Sequence, residues 1–359
     1  ISILHTGGTI ASRVSYRTGG VVSSFKPEDL IGMFPELFEV ANIRSRLVRN
    51  MWSEDIRFDH YNILAKEVRK EIKAGADGII ITHGTDTLHY SSAALAFILE
   101  NLPVPVILVG AQKSSDRGSS DAGMNVICAA KFIAQTDFAE VAICMHEDMS
   151  DRSCLILPAC KTRKMHTSRR DAFRPINTKP WARIDYKTGK VHFFKHNYTK
   201  KDSDRKLRLK LMNPKIKVGI LYIHTHMYPE EFEFYKRFDG LILTGTGLGQ
   251  IPGYVKDKET KIHEKIFPTI KKLIKKGVIV ANAPQTIYGR LQMNVYDKGR
   301  DMQKLGILGN LCDMTPETAF IKLAWLLSNY KNKNQIKELY HKNLRGEISE
   351  RTEIDTFLI

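Results

Sequence analysis

The first segment that could carry chemistry is residues 6–11, where a pair of glycines is followed by Thr9. Glycines let the backbone turn sharply and come close to a ligand. The hydroxyl of Thr9, at the tip of a predicted strand, could then act as a nucleophile. A tight strand-to-loop turn without chemistry would give the same pattern, so this segment alone leaves both interpretations open.

Two further polar loops favour the catalytic interpretation. In residues 83–87, Thr85 and Asp86 place a hydroxyl beside a carboxylate, and the backbone amides around them are suited to an oxyanion. Residues 110–116 form a third polar loop after another predicted strand. Ligands bind beyond the carboxyl ends of the strands in open α/β sheets. We therefore expect the three loops to share one site.

Together these segments resemble the asparaginase and glutaminase family. Residues 6–11 (TGGTIA) resemble its N-terminal signature, and residues 81–87 (ITHGTDT) resemble its second signature. The resemblance continues through residues 109–111, the region of Lys164 and residues 295–300 (VYDKGR), so that it covers nearly the whole chain. It implies a two-domain, asparaginase-like α/β fold.

The resemblance also implies acyl transfer by a group of catalytic residues. Thr9 would be the acylated nucleophile, and Thr85, Asp86 and Lys164 would form a second polar group around the attacking or leaving atoms. A carboxamide is a poor electrophile, so the enzyme must deprotonate a hydroxyl, stabilise an oxyanion and protonate the leaving ammonia. Lys164 beside Asp86 could take and return that proton, although a plain ion pair is the alternative.

The same resemblance assigns substrate contacts. Tyr16 corresponds to a tyrosine on a mobile loop near the nucleophile, and Ser53 to the serine that binds the α-carboxylate of the substrate. Glu54 stands where many members have glutamine, and Ala111 would contribute a backbone contact. The implied site contains hydroxyls, a carboxylate and an amine, so no metal and no cofactor are expected in this chain.

One branch of that family, the D subunits of archaeal glutamyl-tRNA(Gln) amidotransferases, resembles the chain in residues 42–47, 112–117, 163–173 and 346–351. This resemblance implies a glutaminase whose ammonia converts Glu-tRNA(Gln) to Gln-tRNA(Gln) on a partner, the E subunit, which would use ATP and Mg. It also implies a homodimer within a heterotetramer. That branch carries an upstream domain, which would explain a start at Ile1. The lysine-rich residues 252–265 depart from its pattern.

Two alternatives remain at this stage. The first is a stand-alone cytosolic L-asparaginase, and the second is a non-catalytic tRNA or assembly scaffold that keeps the fold. A scaffold would have no need of Thr9, Thr85, Asp86 and Lys164 together, which argues against the second alternative.

Other motifs are less specific. Residues 245–249 (GTGLG) follow a predicted strand and could hold a phosphate, but they match neither the dinucleotide fingerprint nor a P-loop. His224 with His226, and Cys144 with His146, could ligate a metal. Each pair lacks a third ligand, so core or surface roles are favoured.

The elements that must position these residues alternate between short β-branched runs and helix-length patterns, which predicts a parallel sheet covered by helices. Buried strands are predicted at residues 3–5, 78–82, 104–109 and 141–145, helices at 61–73, 91–100 and 124–135, and a hairpin at 181–194. Further along the chain, strands are predicted at 218–223, 240–243 and 278–281, and helices at 262–276 and 315–327.

These elements indicate two α/β domains. Residues 1–195 would form the larger domain with a mostly parallel sheet and the catalytic residues, and residues 218–331 a smaller one. The polar, basic residues 196–217 would be the linker. Residues 332–359 would form a charged tail that acts at an interface, because they are too few and too polar to build a core.

Composition argues against a membrane-spanning protein and leaves the kind of partner open. The chain has 359 residues, of which 43% are hydrophobic, and no apolar run approaches the length of a membrane span. Its five cysteines show no C-x-x-C spacing, which favours a reducing compartment, so the cytoplasm is expected. The net charge of +16 is compatible with a polyanionic partner and equally with a solvated lysine-rich surface.

Overall fold

The computed structural model describes residues 1–8, 10, 12–15, 17–18, 21–23, 32 and 34–358. The chain divides into two compact units. The first comprises Ile1–Pro175 and Lys179–Lys210, and the second comprises Ile176–Thr178 and Leu211–Leu358. Each unit is an α/β structure, and the larger one comes first, as the sequence predicts.

The first unit contains fourteen strands and four α-helices among its described residues. The strands are β1 (Ser2–Gly7), β2 (Ser12–Val14), β3 (Val21–Ser23), β4 (Arg44–Met51), β5 (Ile79–Thr82), β6 (Leu99–Glu100), β7 (Val106–Val109), β8 (Val141–His146), β9 (Ser153–Pro158), β10 (Thr162–Lys164), β11 (Phe173–Pro175), β12 (Ala182–Asp185), β13 (Val191–Phe193) and β14 (Arg208–Leu209). The helices are α1 (Leu37–Val40), α2 (Phe58–Lys73), α3 (Leu88–Ile98) and α4 (Ala122–Gln135). A short 3-10 helix spans Ser53–Asp55.

Eight of these strands form one sheet, in the order β13-β12-β9-β8-β7-β5-β1-β4. The five neighbouring strands β4, β1, β5, β7 and β8 run parallel. Beyond them, β9, β12 and β13 each pair antiparallel with the preceding strand of the sheet. Every residue of β5 and β7 is buried, as expected for parallel strands covered on both faces. In the sheet, β4 lies on one side of β1, and the next strand of this sheet along the chain, β5, lies on the other side of β1. This reversal makes the crevice between β1 and β5 the expected ligand site.

The hairpin predicted at residues 181–194 is confirmed, since β12 and β13 pair antiparallel with Ala182 opposite Phe193. Strand β9, which continues the sheet beside β8, has no counterpart among the predicted elements. It is a wholly buried run, Ser153–Pro158. A short apolar run with no alternation carries little information about whether it forms a strand, a helix or a loop.

The second unit has three parallel strands, in the order β15 (Val218–Tyr222), β16 (Gly240–Gly245) and β17 (Ile279–Pro284). Its α-helices in the described part are α5 (Pro229–Glu233), α6 (Ile266–Lys275), α7 (Asp297–Leu305), α8 (Pro316–Asn329) and α9 (Lys333–His341). No helix among the described residues of either unit is long and apolar enough to cross a membrane.

The polar residues 196–217, predicted as a linker, are divided between the two units. Strand β14 pairs antiparallel with β6, and Lys210 Nζ lies 3.2 Å from Glu100 Oε1. These contacts attach the segment to the first unit as far as Lys210, and the second unit resumes at Leu211. The boundary between the units therefore lies between Lys210 and Leu211, and most of the predicted linker packs on the first unit.

The predicted charged tail, residues 332–359, contributes to the core of the second unit. Ile336 and Tyr340 on α9 are buried. Lys322 and Glu347 have fully buried side chains, and Lys322 Nζ lies 2.6 Å from Glu347 Oε1. The same ammonium donates to the carbonyls of Tyr340 and Lys342 at 2.8 and 2.6 Å. The expected role of the tail at an interface stays a prediction.

We expect Lys322→Met to destabilise the second unit by about 3–5 kcal/mol, because it leaves the carboxylate of Glu347 buried without its cation. Lys331→Met, at an exposed position, is the matched control. Adding Glu347→Gln to Lys322→Met should restore part of the loss, because glutamine carries no charge and keeps an acceptor for the amides of Leu344 and Arg345. The measurement is the free energy of unfolding in urea. Equal stability of Lys322→Met and the control would contradict the interpretation.

Candidate active site

The loops that follow β1 and β5 are in direct backbone contact. Gly8 has φ of 77°, in the left-handed region that favours glycine. A Cβ at Gly8 would lie 2.5 Å from the backbone nitrogen of Gly84, which is closer than real Cβ atoms approach. The contact therefore requires glycine at position 8, and it fixes the distance between the first two loops.

Ser53 is held against the other side of the second loop. A Cβ at Gly84 would lie 2.8 Å from both Cβ and Oγ of Ser53. Thr87 Oγ1 donates to the carbonyl of Ser53 at 2.6 Å, and the side chain of Ser53 is buried. Glu54 follows in the same 3-10 helix and is exposed.

Lys164 joins the second loop from β10. Its Nζ donates to Thr85 Oγ1 at 2.9 Å and to Asp86 Oδ1 at 2.7 Å. The side chain of Lys164 is 12% exposed, whereas that of Asp86 is 65% exposed. Strand β10 pairs with β11, which places Lys164 opposite Phe173. The structure thus brings Lys164 together with two other predicted catalytic residues, the adjacent Thr85 and Asp86, which lie far from it in the chain.

The third loop contacts both of the others. Ala111 is buried. A Cβ at Gly110 would lie 2.8 Å from Thr85 Cγ2, so the backbone packs closely on that side chain. Ser115 Oγ donates to the carbonyl of Ile10 at 2.6 Å. Sequence reasoning assigned no role to Ser115, and its place in a polar loop after a buried strand was the available signal.

Buried histidines support the second loop. His83 Nδ1 donates to the carbonyl of Gly84 at 2.6 Å, so Nε2 accepts from the hydroxyl of Ser91 at 2.8 Å. Burial lowers the pKa of His83 to about 4. Burial, followed by the nearby Arg163 and Lys164, lowers the pKa of His89 to about 3. Both rings are therefore neutral near pH 7 and serve as polar support without charge.

Two of the predicted catalytic residues, Thr9 and Tyr16, lie outside the described residues.

The residues weighed for metal ligation make other contacts. His224 Nε2 lies 2.9 Å from Glu231 Oε2, and His226 Nε2 lies 2.8 Å from Tyr228 Oη. His146 Nδ1 donates to Asn125 Oδ1. Within the described part of the chain, no three His, Cys, Asp or Glu side chains are grouped so that they could hold a metal.

The glycine-rich loop after β16, weighed as a phosphate cradle, is bound by Asn282. Gly245 N donates to Asn282 Oδ1 at 3.0 Å, and Asn282 Nδ2 donates to the carbonyl of Gly249 at 2.8 Å. Close packing on Asn282 accounts for Gly245 and Gly249, since a Cβ at these positions would lie 2.7 Å from its Oδ1 and 2.8 Å from its Nδ2, respectively.

Family models match both units. The model described as "Asparaginase, N-terminal" matches residues 1–199, and the "Glutaminase/Asparaginase C-terminal domain" matches residues 217–340. Among solved structures, the thermostable L-asparaginase from Thermococcus kodakarensis is similar, with a TM-score of 0.84 and 26% identity, over 98% of this chain and 99% of that one.

Relatives of known sequence are more similar still. The D subunit of the glutamyl-tRNA(Gln) amidotransferase of Pyrococcus furiosus is 43% identical over 367 residues, covering 100% of this chain and 79% of the relative. The corresponding D subunit of Thermococcus kodakarensis is 41% identical over 362 residues, covering 100% and 78%. The chain therefore belongs to the asparaginase and glutaminase family of amidohydrolases, in the branch that contains the archaeal amidotransferase D subunits.

Proposed function

We propose that this chain hydrolyses the carboxamide of glutamine and supplies the ammonia to a partner that converts Glu-tRNA(Gln) to Gln-tRNA(Gln). The observation that carries the hydrolytic step is the pair of hydrogen bonds from Lys164 to Thr85 and Asp86. The choice of glutamine and of a tRNA-dependent role is supported by the two amidotransferase relatives.

In the proposed reaction, the hydroxyl oxygen of Thr9 adds to the carboxamide carbon and transfers its proton to a base. The carbon–nitrogen bond then breaks, ammonia leaves with a proton returned to it, and an ester between Thr9 and the γ-carbonyl of glutamine remains. Water hydrolyses this ester to glutamate and restores the hydroxyl. Both halves of the reaction need a group that takes a proton and gives it back.

Lys164 is the group proposed to move this proton. Thr85 accepts a hydrogen bond from Lys164, and a threonine hydroxyl that accepts one bond keeps its own proton for donation. Thr85 can therefore relay a proton between Lys164 and the reacting atoms. Asp86 orients the same amine, and its exposure to solvent weakens the pull of its charge on the lysine.

The proposed substrate contacts are those that the family resemblance implies, and the position of Ser53 against the second loop supports them. We assign the α-carboxylate of glutamine to the hydroxyl of Ser53, which is held beside Gly84. The exposed carboxylate of Glu54 would attract the α-ammonium group. Ala111 would contribute a backbone contact, and Tyr16 would close over Thr9.

The partner of the proposed reaction is the amidotransferase E subunit, which would bind ATP and Mg and activate the glutamate on the tRNA. A homodimer of this chain within a heterotetramer, acting in the cytoplasm, belongs to the same proposal. The net charge of +16 supports an encounter with a polyanion such as tRNA through long-range attraction.

A second candidate function is that of a free L-asparaginase. Its support is the TM-score of 0.84 with the thermostable L-asparaginase of Thermococcus kodakarensis. Two proteins of Thermococcus kodakarensis can be compared with this chain: the D subunit is 41% identical to it, whereas the asparaginase is 26% identical to it. This difference favours the amidotransferase role.

Thr9→Ala should lower amide hydrolysis by about a thousandfold or more, because it removes the nucleophile. Thr188→Ala, in the turn between β12 and β13, is the matched control and should retain full activity. The measurement is ammonia release, with circular dichroism to verify folding. Substantial turnover by a folded Thr9→Ala protein would rule out the assignment of Thr9.

Two substitutions of Lys164 distinguish a proton carrier from a plain ion pair. Arginine keeps the positive charge but is always protonated, so it cannot take up a proton. We expect both Lys164→Arg and Lys164→Met to lower kcat by about a hundredfold or more. Lys66→Met, at an exposed position on α2, is the control. Near-normal kcat in Lys164→Arg would identify Lys164 as an ion-pair partner only.

Glutamine hydrolysis should be slow in the isolated chain and fast when the E subunit and Glu-tRNA(Gln) are both bound, because free hydrolysis would waste the nitrogen donor. The measurement is ammonia release from glutamine and from asparagine by the chain, by the complex, and by the complex with charged or uncharged tRNA. Equal rates in every case, with asparagine preferred, would favour the free asparaginase.

A further inference from the structure

The third loop of the site is fixed from behind by Asp121, which directly precedes α4. The side chain of Asp121 is fully buried. Its Oδ1 accepts from the backbone amides of Gln112 and Lys113, each at 3.0 Å, and its Oδ2 accepts from the amide of Gln112 at 2.9 Å. The buried carboxyl group accepts three hydrogen bonds from the two backbone amides, so the backbone at these two residues is held firmly.

Asn125, one turn along α4, fixes the start of the same loop. Its Nδ2 donates to the carbonyl of Gly110 at 3.0 Å. His146 Nδ1 donates to Asn125 Oδ1 at 2.6 Å, which orients the amide so that its nitrogen faces Gly110. Burial lowers the pKa of His146, which favours the neutral ring that this arrangement uses. Residues 110–113 are thus bound to α4 at both ends.

The same loop also contacts Thr85 and the residue that follows Thr9. Gly110 packs on the methyl group of Thr85, and Ser115 donates to the carbonyl of Ile10, the residue after Thr9. A shift of the loop would therefore displace Thr85 or the chain beside the nucleophile.

Two polar atoms of the same loop have no hydrogen-bond partner among the described residues. They are Gln112 Nε2 and Ser114 Oγ, and both are buried. Buried polar atoms in native proteins nearly always have a partner, so an unsatisfied donor requires an explanation. An oxygen atom of a bound ligand or of an ordered water molecule would satisfy either group. The remainder of the loop is already well fixed, which makes strain in the loop a poor explanation.

We propose that Asp121 and Asn125 are positioning residues, and that the loop they hold presents Gln112 Nε2 and Ser114 Oγ to carboxamide or carboxylate oxygens of the substrate. The proposal rests on the proposed function in taking the substrate to be an amino-acid amide. Asp121 and Asn125 act through the loop, whereas Gln112 and Ser114 touch the substrate.

The positioning role is tested with Asp121→Asn, which keeps one acceptor oxygen, and Asp121→Leu, which keeps none. We expect kcat/KM to fall about tenfold in the first and about a hundredfold in the second, mainly through KM. Asp313→Asn is the matched control, because Asp313 is also buried and accepts from a backbone amide, that of Ser349, in the second unit. Unchanged KM in a folded Asp121→Leu protein would overturn the positioning role.

The contact role is tested with Gln112→Met and Ser114→Ala, which remove the polar atom and preserve most of the packing. We expect KM to rise about tenfold. The melting temperature without ligand should stay equal or increase, because an unsatisfied buried polar atom has been removed. The stabilisation of the protein by glutamate should diminish in parallel. An unchanged KM together with an unchanged shift by glutamate would refute the contact role.

Failure of the proposed function can be told apart from failure of this inference. If the wild-type chain prefers asparagine, the same KM changes are measured with asparagine, and aspartate replaces glutamate in the melting experiment. If it hydrolyses neither amide, the proposed function fails, and the shift of melting temperature by glutamate or aspartate still tests Gln112 and Ser114.

Discussion

The contact between the backbones of Gly8 and Gly84 is the constraint on which the rest of the site depends. It exists because β1 and β5 are parallel neighbours in register, with His5 opposite Thr82. Thr6 Oγ1 also donates to the carbonyl of Thr82 at 2.9 Å, which ties the two strand ends together. Since Gly8 and Gly84 cannot move closer together, and would lose this packing if they moved apart, the two strand ends form a single edge of the site. Ser53, Lys164 and the third loop are all placed relative to that edge.

Below this edge, the interior is polar but carries little charge. His5 lies 2.8 Å from Thr82 Oγ1 and 2.7 Å from Ser45 Oγ, and burial lowers its pKa to about 4. His83 is neutral for the same reason. Neutral rings satisfy the buried hydroxyls and carbonyls without adding an electric field that would compete with the substrate. Lys164 and Asp86 can then dominate the local field above the strand ends.

Local sequence predicted those parts of the molecule that depend on local patterns. The glycine and threonine motifs marked the first two loops, and β-branched runs marked the central strands. Lys164 was assigned by resemblance, because its partners lie 79 and 78 positions away along the chain. The roles of Asp121 and Asn125 could not be predicted in this way, since an aspartate before a helix has the same local pattern whether it binds a loop or only caps the helix. The burial of Lys322 depends on residues that follow α8 in the chain. The periodicity of α8 alone therefore indicates a polar residue at this position and not a buried one.

The buried ammonium of Lys322 has a consequence for synthesis of the chain. Its acceptors belong to Tyr340, Lys342 and Glu347, all of which leave the ribosome after α8. Until those acceptors are available, α8 would have to bury a charge without partners, which is strongly unfavourable. The first unit does not depend on these acceptors and precedes most of the second in the chain. Synthesis from the N-terminus thus imposes an order of folding, in which the first unit can fold while the second is still incomplete.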